Sequence, residues 1–416
     1  METRKIKIGV LGAGRGMSMI GFCKAAENVD LVAVCDNFPP ILERAKQKLA
    51  DYPVTFYDNF DEFITHDMDA VVLANYATEH APFAIRCLKA GKHVYSEVLP
   101  CQTMKEAVEL VEAVEETGLI YAYGENYCYM AGPREMRRRY KAGELGEIEY
   151  AEGEYMHNCE SIWPEITYGD PDHWRNHLYS TFYCTHSLGP LIHICGLRPV
   201  KVSGFETPFP ARHARVGLKS GAHGMEVVTL ENGAILKSIH GYLAKDSVWY
   251  SVYGTKGRLE TAREDAECGG HDRIYANLDS YEGEYDPYVV SYKPHDELTE
   301  LANRSGHGGS DFYTMYNFVQ KLLGNEEADT IDVYEAMDMY LPGMFAYRSI
   351  LAGGQPMDIP NLRDKSIRDQ WRNDTICTDP KVAGDQWVPS YSKGDPEIPM
   401  EVYENMKRKF EETLEK

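Results

Sequence analysis

Residues 5–16 read KIKIGVLGAGRG, an apolar run that passes directly into three glycines. Such a run is typical of a buried parallel strand. Gly12 permits a tight turn, Gly14 allows the backbone to approach a pyrophosphate, and the next helix presents free N–H groups to the phosphates. Gly16, the third glycine, stands one position earlier than in the usual spacing, and Met17 occupies the expected place. The stretch predicts a strand, a phosphate-binding turn and a helix.

A second apolar run at 31–35 ends in Asp36, about twenty residues after the glycines. A carboxylate at this position accepts hydrogen bonds from both hydroxyls of an adenosine ribose. It would repel a 2′-phosphate, so NAD is favoured over NADP. The glycine turn and Asp36 therefore predict an NAD site, with Arg15 among its contacts.

Composition restricts the partners of such a site. The 416 residues are 43% hydrophobic, which allows a large core and, at this length, two domains. The formal net charge of −22 argues against nucleic acid or an anionic membrane as a partner, because either needs a basic face. The charge fits an enzyme that acts on a neutral or cationic small molecule.

The expected location is the cytoplasm. METRKIK leads into the first strand without a signal peptide, and no run of about eighteen apolar residues is present. The ten cysteines show no metal-ligand spacing, and we expect them to be reduced, mostly buried thiols.

Strand and helix patterns alternate along the first third of the chain. This rhythm implies right-handed crossovers and a doubly wound parallel sheet, the Rossmann arrangement, over residues 1–125. A surface helix at 133–145 leads into residues 126–360, where alternating segments separated by turn signals predict an α/β domain with a large, open, mainly antiparallel sheet. Residues 361–416 are expected to form a tail that packs on the body or on a neighbouring subunit.

Polar side chains follow the strands of the first domain at their carboxyl ends. Asn75 follows one strand, His80 lies in the first turn of the next helix, and Glu97 ends the following strand in HVYSE. Glu125 ends the last strand of the domain. In a parallel sheet these ends share one edge, where the nicotinamide half of the cofactor is expected. For Asn75, His80 and Glu97 the alternative is helix capping or a satisfied surface polar group, and for Glu125 it is a strand-end capping role.

The order of these motifs resembles the Gfo/Idh/MocA family over roughly residues 4–350. The shared features are GxGxG, CD, a helix start with N and H, HVYSE, a GENYCY strand end, and WR before a helix that bears a histidine. The resemblance implies a Rossmann domain followed by an α/β domain whose open sheet holds the substrate and often forms the oligomer interface. A homo-oligomer is therefore expected, with dimer and tetramer both open. Val98 stands where ordinary members have the lysine of Glu-Lys-Pro, which assists hydride transfer.

A narrower resemblance accounts for the missing lysine. Glycoside hydrolase family 109, the NAD-dependent α-N-acetylgalactosaminidases of the same superfamily, also has EVP in place of EKP. The chain is similar to that family in five further patterns: ENxxY at 125–129, YxH at 155–157, YxTHxLGP at 183–190, GHGGxD at 306–311 and DVYxA at 332–336. The resemblance implies an NAD-dependent glycosidase with a carbohydrate or glycoside substrate. Asn126 and the WR pair, Trp174 and Arg175, are then expected beside the cofactor.

Such a reaction needs particular proton-transfer groups. If C3 of a pyranoside is transiently oxidised, the new ketone acidifies the C2 hydrogen. A base then removes that proton, the C1 substituent leaves, water adds, and the ketone is reduced again. The cycle needs a base near the C3 hydroxyl, a base near C2 and a donor for the leaving group, with no net redox change. Tyrosine and histidine side chains supply such groups.

Two Tyr–His pairs are the main candidates. Tyr183 and His186 are three residues apart in a segment predicted as helical over 181–194, so both can face one side of it. His186 also aligns with the catalytic histidine of the superfamily, and we expect it to accept the C3 hydroxyl proton. Tyr155 and His157 are two residues apart on a strand, which places both on one face of the sheet, where they can handle the C2 proton or the leaving group. The alternative for His186 is a core histidine, and the alternative for Tyr155 and His157 is an ordinary polar sheet surface.

The remaining residues leave more than one role open. By resemblance, Glu125 would bind sugar hydroxyls or assist acid–base work, and His307 in SGHGGSD either caps the following helix or reaches the substrate. No HExxH motif or cysteine pairing is present, so no metal site is predicted. Two other functions stay open: an NAD-dependent dehydrogenase of a sugar, a glycoside (forming the 3-keto product) or an inositol, and a cofactor-binding sensor or structural protein without catalysis. The absence of the usual lysine at Val98 counts against the dehydrogenase, and the two Tyr–His pairs count against a protein without catalysis.

Overall fold

The fold was analysed in a computed structural model that describes residues 4–265, 272–279 and 290–414. Cys268 and part of the region after 262 lie outside the described residues. The chain forms two compact units, each assembled from several chain segments. Unit 1 comprises Met1–Met130, Asp296–Met337 and Leu362–Asp374, and unit 2 comprises Ala131–His295, Asp338–Asn361 and Thr375–Lys416.

The strands form two separate sheets, β1–β6 in unit 1 and β7–β15 in unit 2. The strands are β1 Ile6–Leu11, β2 Val29–Cys35, β3 Thr55–Tyr57, β4 Ala70–Leu73, β5 His93–Ser96, β6 Tyr121–Tyr123, β7 Ile148–Asn158, β8 Pro199–Glu206, β9 His223–Leu230, β10 Ile235–Gly241, β11 Leu243–Gly254, β12 Gly257–Thr261, β13 Ile274–Leu278, β14 Val290–Tyr292 and β15 Met357–Asp358.

The helices range from single turns to five turns. They are α1 Met17–Ala25, α2 Pro39–Lys48, α3 Phe60–Phe63, α4 His80–Lys89, α5 Met104–Thr117, α6 Ala131–Lys141, α7 Trp163–Thr167, α8 Cys184–Cys195, α9 Ala211–Ala214, α10 Thr299–Ala302, α11 Ser310–Leu322, α12 Val333–Leu351, α13 Lys365–Arg368, α14 Pro380–Ala383 and α15 Met400–Leu414. Short 3₁₀ turns occur at Ala77–Glu79, Asn126–Tyr129, Trp174–His177, His307–Gly309 and Gly384–Gln386.

The sheet of unit 1 is parallel, with strand order β3-β2-β1-β4-β5-β6. Its central strands are continuous apolar runs; β4, for example, is buried along its whole length, as a strand covered on both faces must be. The order reverses between β1 and β4, so the carboxyl ends of these strands border the crevice where doubly wound sheets bind ligands. The predicted fold class is confirmed for this part of the chain.

Residues after 295 return to unit 1 twice, whereas the sequence prediction assigned one continuous range to each domain. Hydrogen bonds hold these later segments against the first 130 residues. The Tyr95 hydroxyl of β5 donates to Thr314 Oγ1 of α11 at 3.0 Å, and the Tyr123 N–H of β6 donates to the Ile331 carbonyl at 2.8 Å. In the tail, the buried Arg368 of α13 makes two hydrogen bonds to the carboxylate of Glu115 on α5, at 2.8 and 2.6 Å.

The sheet of unit 2 has the order β14-β13-β12-β11-β7-β10-β9-β8-β15 and is antiparallel except for the β7–β10 pair. The predicted open, mainly antiparallel sheet is therefore confirmed. Alternate residues of β7, including Ala151, Gly153 and Tyr155, are buried on the face that packs against α8. A Cβ on Gly153 would stand 1.9 Å from the Ser187 carbonyl oxygen, so only glycine allows α8 to lie this close.

Two predicted helix boundaries differ from the structure. The helix predicted over 181–194 begins at Cys184, and Tyr183 is the residue before its first turn, with φ −95° and ψ 29°. The basic helix predicted over 133–145 spans Ala131–Lys141, because Gly143 and Gly146 take positive φ values of 78° and 69° that end the helical path.

Candidate active site

The glycine turn of unit 1 has the geometry that a dinucleotide requires. Gly12 has φ +92°, and a Cβ there would stand 2.4 Å from the backbone of Ala74. A Cβ on Gly16 would stand 2.2 Å from the Gly12 carbonyl oxygen, so the early third glycine is needed to close the turn onto α1. By contrast, Gly14 is exposed, and no protein atom lies within 4 Å of where its Cβ would stand. The turn therefore presents bare backbone at the start of a helix, as pyrophosphate binding requires.

Asp36 is fixed beside this turn by two backbone hydrogen bonds. Its Oδ2 accepts from the Ala13 N–H at 2.8 Å, and its Oδ1 accepts from the Phe38 N–H at 2.9 Å. The pKa of this carboxyl is raised, because the effect of burial is larger than the opposite effect of the two N–H donors. Each carboxylate oxygen has a second lone pair for a ribose hydroxyl. The residues present thus fit the adenosine half of NAD.

The other residues predicted at the strand ends differ in their surroundings. His80 is buried, its Nδ1 lies 2.8 Å from the Leu99 carbonyl oxygen, and burial lowers its pKa to about 4. Asn75 is partly buried and its amide lies 3.5 Å from the Glu79 carboxylate. The contacts of His80 join α4 to the segment after β5. Cofactor contact by Asn75 and His80 remains a prediction.

Arg15 of the glycine turn is held by two carboxylates within unit 1. Its guanidinium makes two 2.7 Å hydrogen bonds to Asp311 and lies 2.9 Å from Glu97 Oε1. Asp311 also accepts from Asn126 and His307, at 3.0 Å each. Burial alone would raise the pKa of Asp311, but the bonds from Arg15 and His307 hold it well below its usual value. Neither role predicted for His307 describes this contact.

Glu125 is fully buried at the end of β6 and belongs to unit 1. Its Oε1 accepts a hydrogen bond from the Tyr127 N–H at 3.2 Å, which caps the 3₁₀ turn Asn126–Tyr129. The capping alternative is thus observed, and a catalytic role for Glu125 stays a prediction.

In unit 2, the structure brings the two predicted Tyr–His pairs together. The ring centroids of Tyr155 and His186 are 4.7 Å apart, and the rings of Tyr183 and His186 are stacked with centroids 5.5 Å apart and planes 11° apart. His157 lies against Tyr155, with centroids 5.8 Å apart. Tyr155, Tyr183 and His186 are buried, whereas His157 is partly exposed. Strand β7, the start of α8 and the residue that precedes it therefore present four proton-transfer groups in one cluster.

The WR pair contacts this cluster. Arg175 Nη1 donates to the Tyr183 hydroxyl at 2.9 Å, and the guanidinium lies over the Trp174 ring, 4.4 Å from its centroid. A cation that donates to a phenolic oxygen stabilises negative charge on that oxygen. Arg175 is therefore placed to tune Tyr183, and the cofactor role predicted for this pair is untested.

His157 has a carboxylate partner that sequence reasoning missed. Its Nδ1 lies 3.1 Å from Asp246 Oδ1, and the same oxygen accepts from the Asn158 N–H at 2.7 Å. Contact with the Cys159 thiol and with Asp246 raises the pKa of His157. A carboxylate bonded to one ring nitrogen orients the imidazole and favours the other nitrogen as a proton acceptor.

Two further residues complete the aromatic cluster. Tyr242 lies 5.9 Å from Tyr183 and 6.0 Å from His240, measured between ring centroids, and His240 pairs with Tyr155 across the parallel strands β10 and β7. The Tyr242 hydroxyl donates to the Tyr179 carbonyl at 2.6 Å and accepts from the Phe182 N–H at 3.1 Å. Tyr242 thus fixes the segment that leads into α8.

Within the ranges described, no three His, Cys, Asp or Glu side chains are grouped to hold a metal ion. No helix in the same ranges is long and apolar enough to cross a membrane.

The fold and the glycine turn define an NAD-binding protein of the Rossmann class, and comparison with known families agrees. Residues 6–125 match GFO_IDH_MocA, the oxidoreductase family with an NAD-binding Rossmann fold. Residues 211–372 match the C-terminal domain of glycosyl hydrolase 109. The chain therefore joins a Gfo/Idh/MocA NAD-binding domain to a glycosyl hydrolase 109 C-terminal domain, which confirms the resemblance and the NAD cofactor.

Relatives resemble the chain over most of its length. A glycosyl hydrolase family 109 protein of Solibacter usitatus is 26% identical over 405 residues, covering 88% of this chain and 89% of its own. Glycosyl hydrolase family 109 protein 1 of Bacteroides thetaiotaomicron is 25% identical, covering 87% of this chain and 85% of its own. These relatives support an NAD-linked enzyme.

Solved structures share the fold. An oxidoreductase from Agrobacterium radiobacter in complex with NAD+, L-tartaric acid and magnesium has a TM-score of 0.69 and 15% identity, covering 85% of this chain and 98% of its own. Scyllo-inositol dehydrogenase from Lactobacillus casei, with bound NAD(H) and scyllo-inositol, has a TM-score of 0.66 and 17% identity, covering 86% of this chain and 99% of its own.

Proposed function

We propose that the protein is an NAD-dependent glycosidase that cleaves a glycosidic bond without net redox change. The observation that carries the proposal is the cluster of Tyr155, His157, Tyr183 and His186, in a chain whose C-terminal part matches glycosyl hydrolase 109. A dehydrogenase needs one proton acceptor at the oxidised carbon, whereas this cluster offers several. Val98 in place of the usual lysine also fits a reaction that is not a simple oxidation.

The turn at Gly12–Gly16 and Asp36 would hold NAD. When bound, NAD supplies a reversible acceptor of hydride, so that C3 of the sugar can be oxidised and later restored. His186 is assigned the proton of the C3 hydroxyl, because its imidazole ring lies between those of Tyr155 and Tyr183 in the cluster. The contact of Arg175 with Tyr183 would stabilise negative charge beside this step.

His157 is assigned the C2 proton, because the carboxylate of Asp246 orients its ring, and contact with Cys159 and with Asp246 raises its pKa. Removal of that proton from the 3-keto sugar expels the C1 substituent and leaves a C1–C2 double bond. The Tyr155 hydroxyl would protonate the departing oxygen. Water then adds to C1, C2 regains a proton, and reduction of C3 restores the sugar. The sum is hydrolysis, with one water consumed and no electron gained or lost.

A panel of p-nitrophenyl glycosides tests the proposal. The purified protein with bound NAD should release p-nitrophenol from at least one sugar through many turnovers, while absorbance at 340 nm shows no accumulation of NADH. If NADH accumulates in proportion to the sugar consumed and the glycosidic bond stays intact, the protein is a dehydrogenase of a sugar, glycoside or inositol instead. If neither product forms while NAD remains bound, the glycosidase proposal fails for these substrates and a non-catalytic role is favoured.

A further inference from the structure

Asp311, at the start of α11, is the centre of a buried polar cluster in unit 1 to which the proposed chemistry gives no role. Its carboxylate is 1% exposed and accepts hydrogen bonds from four side chains. Arg15 donates twice at 2.7 Å, Ser18 donates at 2.6 Å, and Asn126 and His307 each lie at 3.0 Å. A carboxylate has about four acceptor sites, so Asp311 is saturated.

Three of these donors follow two different strands of the parallel sheet, all at its carboxyl edge. Arg15 and Ser18 follow β1, Asn126 follows β6, and Glu97, the second partner of Arg15, ends β5. Asp311 thereby connects the glycine turn and α1 directly to the end of β6, and Arg15 connects them to the end of β5. Because these segments border one carboxyl edge, their relative positions set the shape of the NAD site.

The local backbone is adapted to this arrangement. A Cβ on Gly306 would stand 2.6 Å from Asp311 Oδ2 and 3.2 Å from the Ser18 hydroxyl, so the segment can approach only as glycine. His307 has φ 52°, a left-handed conformation that is unfavourable for a residue other than glycine. Such a conformation persists where surrounding contacts hold it, and the bond from His307 to Asp311 is one of them.

The charge of Arg15 is already matched within the protein. One guanidinium faces the carboxylates of Asp311 and Glu97, with a two-bond contact to the first. A phosphate near Arg15 would therefore meet a cation that is already compensated. We propose that Asp311 is a cofactor-positioning residue, which holds Arg15 and Ser18 so that the backbone of the glycine turn keeps the form that receives the pyrophosphate. In this role Arg15 acts as a structural tie and not as a phosphate ligand.

The substitution Asp311→Asn separates the two roles of Arg15. It keeps the size of the side chain and the charge of Arg15, but it removes the charge-assisted bonds to the turn. The positioning role predicts that the Kd for NAD rises about tenfold. It also predicts that less NAD is retained after gel filtration, and that the amides of residues 12–18 exchange hydrogen faster. If Arg15 binds phosphate as a free cation, the same variant should bind NAD equally well or more tightly, and that result would overturn the proposal.

Asp332→Asn is the matched control. Asp332 also lies in unit 1, directly before the first residue of α12, and its Oδ1 accepts from the N–H groups of Tyr334 and Glu335 at 2.9 Å each. Its substitution should leave the Kd for NAD unchanged. A lower melting temperature of Asp311→Asn with an unchanged Kd would mean that Asp311 is merely structural.

Ser18→Ala provides a second test if Asp311→Asn does not fold. It removes one 2.6 Å bond to Asp311 and should weaken NAD binding about threefold. An unchanged Kd in this variant overturns the proposal. The inference depends on NAD binding alone, so it can stand or fall independently of the glycosidase activity.

Discussion

The rings of Tyr183 and His186 are stacked with centroids 5.5 Å apart, although Tyr183 precedes the helix that carries His186. The stacking fixes the plane of the imidazole, and the bond from Arg175 fixes the phenol from its other end. An imidazole with a defined orientation can contact a substrate hydroxyl without losing rotational entropy during the reaction. Substitution of His186 should therefore cause the greatest loss of activity.

The substitution His186→Gln should lower kcat for glycoside cleavage about 10²- to 10⁴-fold, the usual contribution of a general base. Binding of NAD, measured by titration, should not change. His193→Gln is the matched control, because His193 is also buried on α8. Equal losses of kcat in the two variants would contradict the assigned role.

Asp246→Asn should lower the pKa of His157, because contact with Cys159 and with Asp246 raises it in the folded protein. If His157 accepts the C2 proton, the acidic limb of the kcat/KM profile should move to lower pH. A histidine whose pKa is raised on folding stabilises the protein below its unfolded-state pKa, and this stabilisation is lost as the pH rises through the folded-state value. The variant should therefore lose stability only on the acidic side.

An NMR titration of the His157 ring, together with urea unfolding at several pH values, checks this prediction. A pH profile and a ring titration that both match the unmodified protein would rule out the coupling of His157 to Asp246.

Asp36→Ser should weaken NAD binding about tenfold and raise the ratio of NADP to NAD affinity, because it removes a ribose acceptor and the charge that repels a 2′-phosphate. Titration with both dinucleotides measures the effect, and Asp51→Ser, at an exposed position of the same unit, is the control. Unchanged affinities for both would show that Asp36 does not contact the ribose.

Tyr242→Phe should lower the free energy of unfolding by about 1–3 kcal/mol, because the buried Phe182 N–H and Tyr179 carbonyl both lose their partner. Urea unfolding measures this loss. Tyr253→Phe, at a half-exposed tyrosine of the same sheet, should change stability by less than about 0.5 kcal/mol. Equal losses of unfolding free energy in the two variants would mean that the two hydrogen bonds of Tyr242 do not contribute to stability.

The sequence predicted the Rossmann sheet well because its signals are local. The apolar run before Gly12, the glycine turn and Asp36 lie within one βαβ segment, and each has a direct physical reason for its residue type. The Tyr155–His157 relation followed in the same way from the period of a strand. The start of the helix at Cys184 was harder to predict from the sequence, because the conformation of Tyr183 is set by its contacts with Tyr242 and Arg175.

Long-range partners were beyond sequence reasoning. Asp246 is 89 residues from His157, and Asp311 is 296 residues from Arg15. Asp311 is the last residue of SGHGGSD, but the residue type that this motif singles out as a chemical candidate is the histidine, His307. Nothing in the sequence near Lys245 and Asp246 distinguishes that carboxylate from the many others of this acidic chain, because its contact with His157 depends on an irregularity between Leu243 and Ser247 in the pairing of β11 with β7.

Cleavage in deuterium oxide tests the central claim most directly. In a cycle that removes and restores the C2 proton, the released sugar should carry deuterium at C2, detected by NMR and mass spectrometry, while its C3 hydrogen is retained from the substrate. His186→Gln should give neither cleavage nor exchange. Efficient cleavage by the unmodified protein with only hydrogen at C2 of the product would contradict oxidation and elimination as the route of hydrolysis.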